Sequence, residues 1–384
     1  MLFFLRYTIV AFCFAFLFSC KKSNSGGPSN PPETIIENDM VFIGNSDGLF
    51  CGIDALTGVK KWEFNAGSGV EGAPTVSNGL VYFGSKSGKV YALQTANGIK
   101  KWEASISGPI TRSSPVVVDG ILYIASDKMY ALDAADGTQK WNTPGHDIYR
   151  FETAPTVSGG VVYASVRGIG SKTGIYALDA KTGIPIWKEP ANAGLTESSP
   201  AVAGGILYAG SEFDGLLAFD IKTGARLWQY KIGEFIESSS PTVSNGIVYV
   251  GSWAKKLHAI DAKTGVVRWE FPVGEWVTSS PVVEKGIVYF GSWTNGKIWA
   301  VDAASGTKKW EFQTANYSNV ESSPVVANGL VVVGANNGRV YALDALTGIQ
   351  RWSLQTTRGF GLASPCVTDK TGKIFHAGLS GAIQ

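Results

Sequence analysis

The chain has 384 residues, and 45% of them are hydrophobic, so most of its length can contribute to a core and extended disorder is excluded. Charged residues make up only 17%, and 33 basic side chains nearly balance 31 acidic ones, which argues against a nucleic-acid binder. Four cysteines in so long a chain exclude a disulfide-dense scaffold, while 47 glycines and 12 tryptophans point to a turn-rich, aromatic-rich soluble fold.

Residues 1–19 read as a signal peptide. Arg6 precedes an apolar run from Tyr7 to Phe18. That run is shorter than the roughly 20 residues needed to span a bilayer and suits the central region of a secretory signal. Leu17-Phe18-Ser19-Cys20 resembles the signal box of bacterial lipoproteins. The resemblance implies cleavage before Cys20 and lipid on its thiol, each buried CH₂ of an acyl chain contributing about 0.8 kcal/mol to anchoring. Residues 20–32 then form a flexible tether, Lys21 to Pro32 reading KKSNSGGPSNPP. Surface-exported lipoproteins of some bacteria carry acidic residues directly after the Cys, and none occur here. Lys21 does not resemble an inner-membrane retention signal. The expected location is the periplasmic face of the outer membrane.

From residue 33 to residue 384 one unit repeats. Tryptophan recurs at Trp62, Trp102, Trp141, Trp187, Trp228, Trp269, Trp310 and Trp352, at intervals of 39 to 46 residues. A period of this size marks a repeat architecture. Each of these residues closes the same phrase, as in GIDALTGVKKW (Gly52–Trp62) and ALDALTGIQRW (Ala342–Trp352). Eight positions before the Trp stands an Asp (Asp54, Asp133, Asp179, Asp220, Asp261, Asp302, Asp344), with Gln94 in the second copy, and four positions before it a Gly in every copy. The phrase reads as strand, turn, strand. The carboxylate accepts N–H groups of the turn, the glycine takes a left-handed backbone, and the indole covers the turn. An Asp with the same task in seven copies is structural rather than catalytic or metal-binding.

Two further strand signals precede each phrase. One is a small-small-Pro start such as Ser113-Ser114-Pro115, with copies at Ser198, Ser239, Ser279 and Ser322 and looser forms at Gly72, Thr153 and Ser364. The other is an alternating strand such as Val248-Tyr249-Val250-Gly251. Four short strands per unit, A to D, with Pro at a strand start and no helical period, predict an all-β fold: an eight-bladed β-propeller with four-stranded antiparallel blades. Thr34-Ile35-Ile36 aligns with a first strand A, yet Ser364 begins a ninth unit. Pairing of the C-terminal strands with the N-terminal blade would close the ring, and which strands are surplus is left open.

The eight copies of A-x-D-x-x-T-G-x-x-x-W are similar to the tryptophan-docking motif of eight-bladed propellers of the pyrroloquinoline-quinone (PQQ) type, over about 350 of the 384 residues. The resemblance implies the fold and leaves function divided between quinoprotein dehydrogenases and the non-enzymatic outer-membrane β-barrel assembly lipoproteins of the BamB type. Dehydrogenases of this fold typically carry a vicinal Cys-Cys disulfide over the cofactor, a catalytic Asp, and acidic and Asn ligands for Ca²⁺. They are also usually much longer. Cys13, Cys20, Cys51 and Cys366 include no adjacent pair, and His146, His258 and His376 have no metal-ligand spacing. No Ser-His-Asp phrase or phosphate loop is visible. Whether Cys51 and Cys366 pair in an oxidising compartment is left open. The expectation is a lipid-anchored, non-enzymatic module that binds a protein at the cell envelope, with no cofactor, no metal and no catalytic residue. PQQ and Ca²⁺ belong to the alternative of a quinoprotein oxidoreductase, and a glycan ligand to a further alternative.

Loop variation locates the candidate binding face. The C–D turn is invariant in length, whereas the distance from the strand-A Pro to the Asp varies, with an insertion between strands B and C around Val166 to Gly174. In an antiparallel blade the B–C and D–A loops share one rim, and loops on a rigid scaffold carry recognition. Three tryptophans outside the repeat fall there: Trp253 and Trp293 in B–C loops and Trp276 in a D–A loop. Trp299, inside a strand C, belongs to the core. Three residues before the strand-A Pro stand Glu71, Glu152, Glu197 and Glu321, with Glu237 one residue further out and Arg112, Thr278 and Leu362 in other copies. An eightfold ring would gather these at the channel mouth as a largely acidic ring suited to a cation or a basic peptide segment.

Overall fold

The computed structural model describes residues 39–144, 149–151, 153–168, 173–190, 198–357, 359–361, 363–369 and 373–376. The apolar run, Cys20, the tether and Thr34-Ile35-Ile36 lie outside them. No helix among the described residues is long and apolar enough to cross a membrane.

Eight antiparallel sheets form the blades, numbered here by motif tryptophan from Trp62 in blade 1 to Trp352 in blade 8. Blade 2 shows the pattern: strand A at Thr75–Ser77, B at Leu80–Gly84, C at Lys89–Gln94 and D at Lys100–Ser105. Strand A follows Pro74, which lacks an N–H and therefore stands before the ladder begins. Strands B and C are buried on both faces, while D alternates exposed and buried. Blades stacked face to face produce that difference, since only the outermost strand keeps a solvent side. Each of the eight apolar clusters draws its residues from two adjacent blades, so the core is a set of interfaces arranged round a ring.

Blade 1 is composite. Its strands B, C and D are Met40–Gly44, Leu49–Asp54 and Lys60–Asn65, and its innermost strand is Cys366–Thr368 from the other end of the chain. Phe42 stands opposite Cys366 and Met40 opposite Thr368. Ile374–His376 pairs with the free edge of that inner strand, so the surplus element is the second strand of the ninth unit. The same pairing settles the cysteines. Cys51 lies opposite Ile43 and faces blade 8, whereas Cys366 lies opposite Phe42 and faces blade 2. Neighbouring residues of a strand point to opposite faces, so the two thiols are separated by the sheet and both are free. Burial pushes both up, Cys51 to about 11.

The motif aspartate behaves as its position implies: Asp54 Oδ1 accepts the N–H of Leu56 and Thr57 and the hydroxyl of Thr57. The tryptophan departs from the simple reading. It covers the turn of the next blade, not its own. The Trp62 ring lies over Gly98, Trp102 over Gly137, and so on until Trp352 lies over Gly58. A Cβ on Gly306, whose φ is +71°, would stand 2.7 Å from the Trp269 ring. Each indole Nε1 donates to a carbonyl of that neighbouring turn at 2.8–3.1 Å: Trp62 to Thr95, Trp102 to Ala134, Trp141 to Ala180, Trp187 to Ile221, Trp228 to Ala262, Trp269 to Ala303, Trp310 to Ala345 and Trp352 to Ala55. In blades 2 to 7 a strand-B tyrosine donates to the same carbonyl, as Tyr208 does to Ala262. Phe42 and Val332 replace the tyrosine in blades 1 and 8.

Trp352→Ala removes a large buried ring at the ring closure and is expected to cost about 3–5 kcal/mol. Trp352→Phe is expected to cost more than Trp228→Phe, because Ala262 keeps the Tyr208 hydroxyl and Ala55 has no such second donor; each lost bond is worth about 1 kcal/mol. Thermal unfolding of the three variants checks the order, and equal losses for the two Phe variants would refute the shared-acceptor account.

Candidate functional site

Hydrogen bonds sort the loops into two rims. On one, C–D turns bond to A–B turns: Thr95 N–H donates to the Gly79 carbonyl and Ala262 N–H to that of Gly246. On the other, B–C loops bond to D–A loops and run from blade to blade: Trp253 N–H donates to the Phe235 carbonyl (3.0 Å), Trp293 to Trp276 (2.9 Å) and Lys86 to Gly69 (2.8 Å). Trp253, Trp276 and Trp293 therefore share the variable rim. The B–C insertion of blade 4 lies partly outside the described residues; its described part lengthens strand Val161–Gly168, which also pairs with Tyr149–Arg150.

The three tryptophans are members of a continuous run of five rings across blades 5, 6 and 7. Phe213 packs edge-on against Phe235 (centroids 5.7 Å apart), Phe235 against Trp253 (5.7 Å), Trp253 stacks on Trp276 (4.7 Å, 15° between planes), and Trp276 leans on Trp293 (5.0 Å). The other four rings are half-buried, and Phe213 at one end is 63% exposed. Phe213 and Phe235 were not singled out from the sequence. Aligning the repeats reveals one of them: Phe235-Ile236-Glu237 occupies the place of Trp276-Val277-Thr278. The Nε1 groups of Trp253 and Trp293 are buried without a protein acceptor, and leaving such a donor unmade costs on the order of 1–3 kcal/mol. Glu212, Asp214, Glu234, Glu237 and Glu275 lie on the loops carrying these rings, against Lys231 and Lys255. Stacked π-faces with carboxylates around them favour an apolar partner bearing cationic groups.

The acidic ring is less open than its sequence suggests. Glu71 is paired with Lys86 at 2.6 Å, and Glu321 accepts from Asn336 at 2.7 Å, each from the B–C loop of the blade it precedes. Glu237 is half-buried, and Thr278 is buried with its hydroxyl unpartnered. Arg112 reaches from blade 3 to Ser238 at the start of blade 6, Nη1 to Oγ 3.4 Å. Glu152, Glu197 and Leu362 lie outside the described residues. Beneath this level the small residues of strand A tie blade to blade: the N–H of Ser199, Ser240, Ser280 and Ser323 donate in turn to the hydroxyls of Ser240, Ser280, Ser323 and Ser364. Among the described residues no three His, Cys, Asp or Glu side chains come together as a metal site.

One constellation has the geometry of a hydrolase. Ser252 Oγ is 2.8 Å from His258 Nε2, and His258 Nδ1 is 3.0 Å from Glu270 Oε1. Access decides against catalysis. Ser252 is 0% exposed and His258 1%, so no substrate carbonyl reaches the hydroxyl. The position is also a repeated one: Tyr91, Tyr130 and Tyr341 stand where His258 does, and in blade 7 Trp299, a core residue as expected, donates to the equivalent Ser292 hydroxyl at 3.0 Å. Burial drives the imidazole down to about 4, the carboxylate of Glu270 opposing only in part. The neutral ring donates from Nδ1 to Glu270 and accepts from Ser252 at Nε2. Glu270, bonded by Lys256 and Tyr230, is held below its usual range, chiefly by Lys256.

Between pH 6.5 and about 4 the unfolded chain binds a proton at His258 that the folded chain does not, so stability falls as pH falls through that window, by up to about 3 kcal/mol. Glu270 acts in the same direction. In His258→Tyr the melting temperature is expected to depend less on pH between 6.5 and 4 than in the parent, with convergence above pH 7. Parallel melting curves for the two proteins across that range would disprove it.

Tryptophan-docked four-stranded blades closed into an eight-membered ring define the class, a propeller of the PQQ type. A family model described as outer membrane protein assembly factor BamB matches residues 25–114, 108–240 and 235–380, and the chain belongs to that family. No curated protein matches it. Among solved structures it is similar to a computationally designed protein (17% identity, covering 80% of this chain and 95% of that one, TM-score 0.66) and to the quinohemoprotein alcohol dehydrogenase of Comamonas testosteroni (15%, 78% and 70%, TM-score 0.63). BamB of Moraxella catarrhalis is also similar (18%, 87% and 89%, TM-score 0.46). Identities this low speak to the fold alone. The two cysteines among the described residues are buried apart between blades, so they form no vicinal disulfide that could cover a quinone.

Proposed function

We propose that this protein is a non-enzymatic, lipid-anchored scaffold on the periplasmic side of the outer membrane, with residues 1–19 a signal peptide, Cys20 lipidated and residues 20–32 a tether. On this reading it docks a protein partner on its variable rim. Membership of the BamB family supports the setting. The observation that carries the docking surface is the five-ring run from Phe213 to Trp293. A rigid scaffold that lines up half-buried rings on its variable loops has the composition of a binding hot spot. The surrounding Glu and Asp side chains give the preferred partner a basic, apolar segment.

Trp276 stands between Trp253 and Trp293, so Trp276→Ala breaks the run at its centre. Crosslinking pulldown from membranes is expected to recover a partner with the parent protein and at least about thirtyfold less with Trp276→Ala, as for a hot spot of about 2 kcal/mol or more. Equal recovery would sink the docking surface. Dye reduction with alcohols or sugars after addition of PQQ and Ca²⁺ would replace this reading by the oxidoreductase one. Glycan binding lost in Trp253→Ala and Trp293→Ala would assign the same rings to a sugar.

A further inference from the structure

The rim of fixed turns carries an apolar feature that neither the core nor the docking rim uses. The residue after the motif glycine is Val59, Ile99, Ile184, Val266 or Ile349 in five blades, and each stands 55–65% exposed. Leu56 and Leu346, at 63% and 74%, add a second aliphatic side chain to the turns of blades 1 and 8. Singly scattered exposed aliphatics are ordinary. These repeat at equivalent positions, and Leu346, Ile349, Leu56, Val59 and Ile99 fall on three consecutive blades, 8, 1 and 2. Basic residues stand beside them: Lys60 pairs with Glu63, Lys61 with Asp54, Lys100 with Glu103 and Arg351 with Asp344, while Lys101 lies on the hairpin that has Gln94 in place of the motif Asp and so adds a net positive charge. The carboxylates of the same turns are engaged internally. The Asp54 and Asp344 oxygens are taken by turn N–H and hydroxyl groups and by Lys61 and Arg351.

Two observations indicate what covers this rim. The turns are copies of one hairpin, each fixed by the same indole hydrogen bond from the preceding blade, so their tips stand at one level round the ring. Separated aliphatic tips at one level match a flat surface and form no groove for a peptide. The second observation is where the chain enters. The Asp39 carbonyl accepts from Ala55 N–H at 2.8 Å, and its carboxylate accepts from Asn328 Nδ2 at 2.6 Å. The polypeptide therefore joins the propeller on this rim, in the seam between blades 1 and 8, flanked by the turns that carry Leu56, Val59, Leu346 and Ile349. Asp39 follows Cys20 by 19 residues, a reach of at most about 65 Å.

We propose that the fixed-turn rim of blades 8, 1 and 2 is a membrane-contact face, its aliphatic tips entering the headgroup layer of a bilayer containing anionic lipid and Lys101 meeting phosphates beside them. This orientation rests on the lipid-anchor reading and deepens it, because it turns the aromatic rim away from the lipid toward a partner. The test uses the full lipidated chain in phosphatidylethanolamine–phosphatidylglycerol vesicles. A nitrobenzoxadiazole probe is placed at Ile99→Cys, Leu346→Cys or, on the opposite rim, Phe213→Cys; Cys51 and Cys366 are buried and stay unlabelled. Nitroxide on the lipid acyl chains is expected to quench the probes at 99 and 346 at least about twofold more than the probe at 213. Adding Leu56→Asp and Ile349→Asp to the position-346 protein is expected to abolish that excess while flotation with the vesicles persists. Equal quenching at all three positions in a protein that floats overturns the contact face and leaves the anchor standing. A protein that does not float, with Cys20 unmodified by mass spectrometry, overturns both.

Discussion

The hydrogen bond from each motif indole to a carbonyl of the next blade organises this molecule. It joins a residue at the outer strand of one sheet to the turn of its neighbour, and it lets the ring pack only where a glycine leaves room for the indole. Because acceptor, glycine and aspartate all belong to one hairpin, a single phrase of eleven residues fixes the local turn and the contact between blades together. That is why the C–D spacing does not vary while the other loops do. Length changes there would move the acceptor away from the donor, whereas a longer B–C loop disturbs nothing the ring depends on.

The two rims differ in chemistry as a result. On the fixed rim the polar groups are largely consumed by the turns, and what projects is aliphatic or basic. On the variable rim, B–C and D–A loops touch between blades through backbone bonds that place no demand on side-chain type, so Ser46, Lys86, Trp253, Trp293 and Asn336 occupy one equivalent position. Where aromatic residues fill that position and its D–A neighbour in succession, they meet automatically, because the backbone bonds already bring the loops together. The run from Phe213 to Trp293 thus follows from ring geometry and a local choice of residues.

The fold was legible because its signal is periodic. Eight indoles at near-constant intervals, with Asp and Gly at fixed offsets, leave little room for another architecture. What escaped was pairing across the ring. Nothing local shows that Trp62 covers Gly98 rather than Gly58, or that Cys366–Thr368 rather than the segment at Thr34 lies beside Met40–Gly44. The site was legible in part for the same reason. Trp253, Trp276 and Trp293 stood out as exceptions to the repeat, but Phe213 and Phe235 did not, since phenylalanine in a β-rich chain is unremarked until its neighbours are known. The partners of the rim glutamates were not legible, because a residue's place on a rim says nothing about what it faces: Lys86 and Asn336 are ordinary loop residues until the fold sets them against Glu71 and Glu321.

Ring closure is where this economy of design is thinnest. Six interfaces have both an indole and a phenol on one carbonyl, using both of its lone pairs. The interfaces on either side of blade 1 have the indole alone, since Phe42 and Val332 supply no hydroxyl. At about 1 kcal/mol for each net hydrogen bond, the composite blade is held less firmly by side chains than the others are by one another. A solvent-open cleft runs along the seam between blades 8 and 1, lined by Leu49, Cys51, Leu354 and Thr356 among others. The compensation is in the main chain, where strand pairing of Cys366–Thr368 with Met40–Gly44 joins the two ends of the propeller in one sheet and leaves neither edge open to another chain. Opening the ring therefore requires breaking a backbone ladder, so the seam can lack the second side-chain donor without becoming the place where the propeller comes apart.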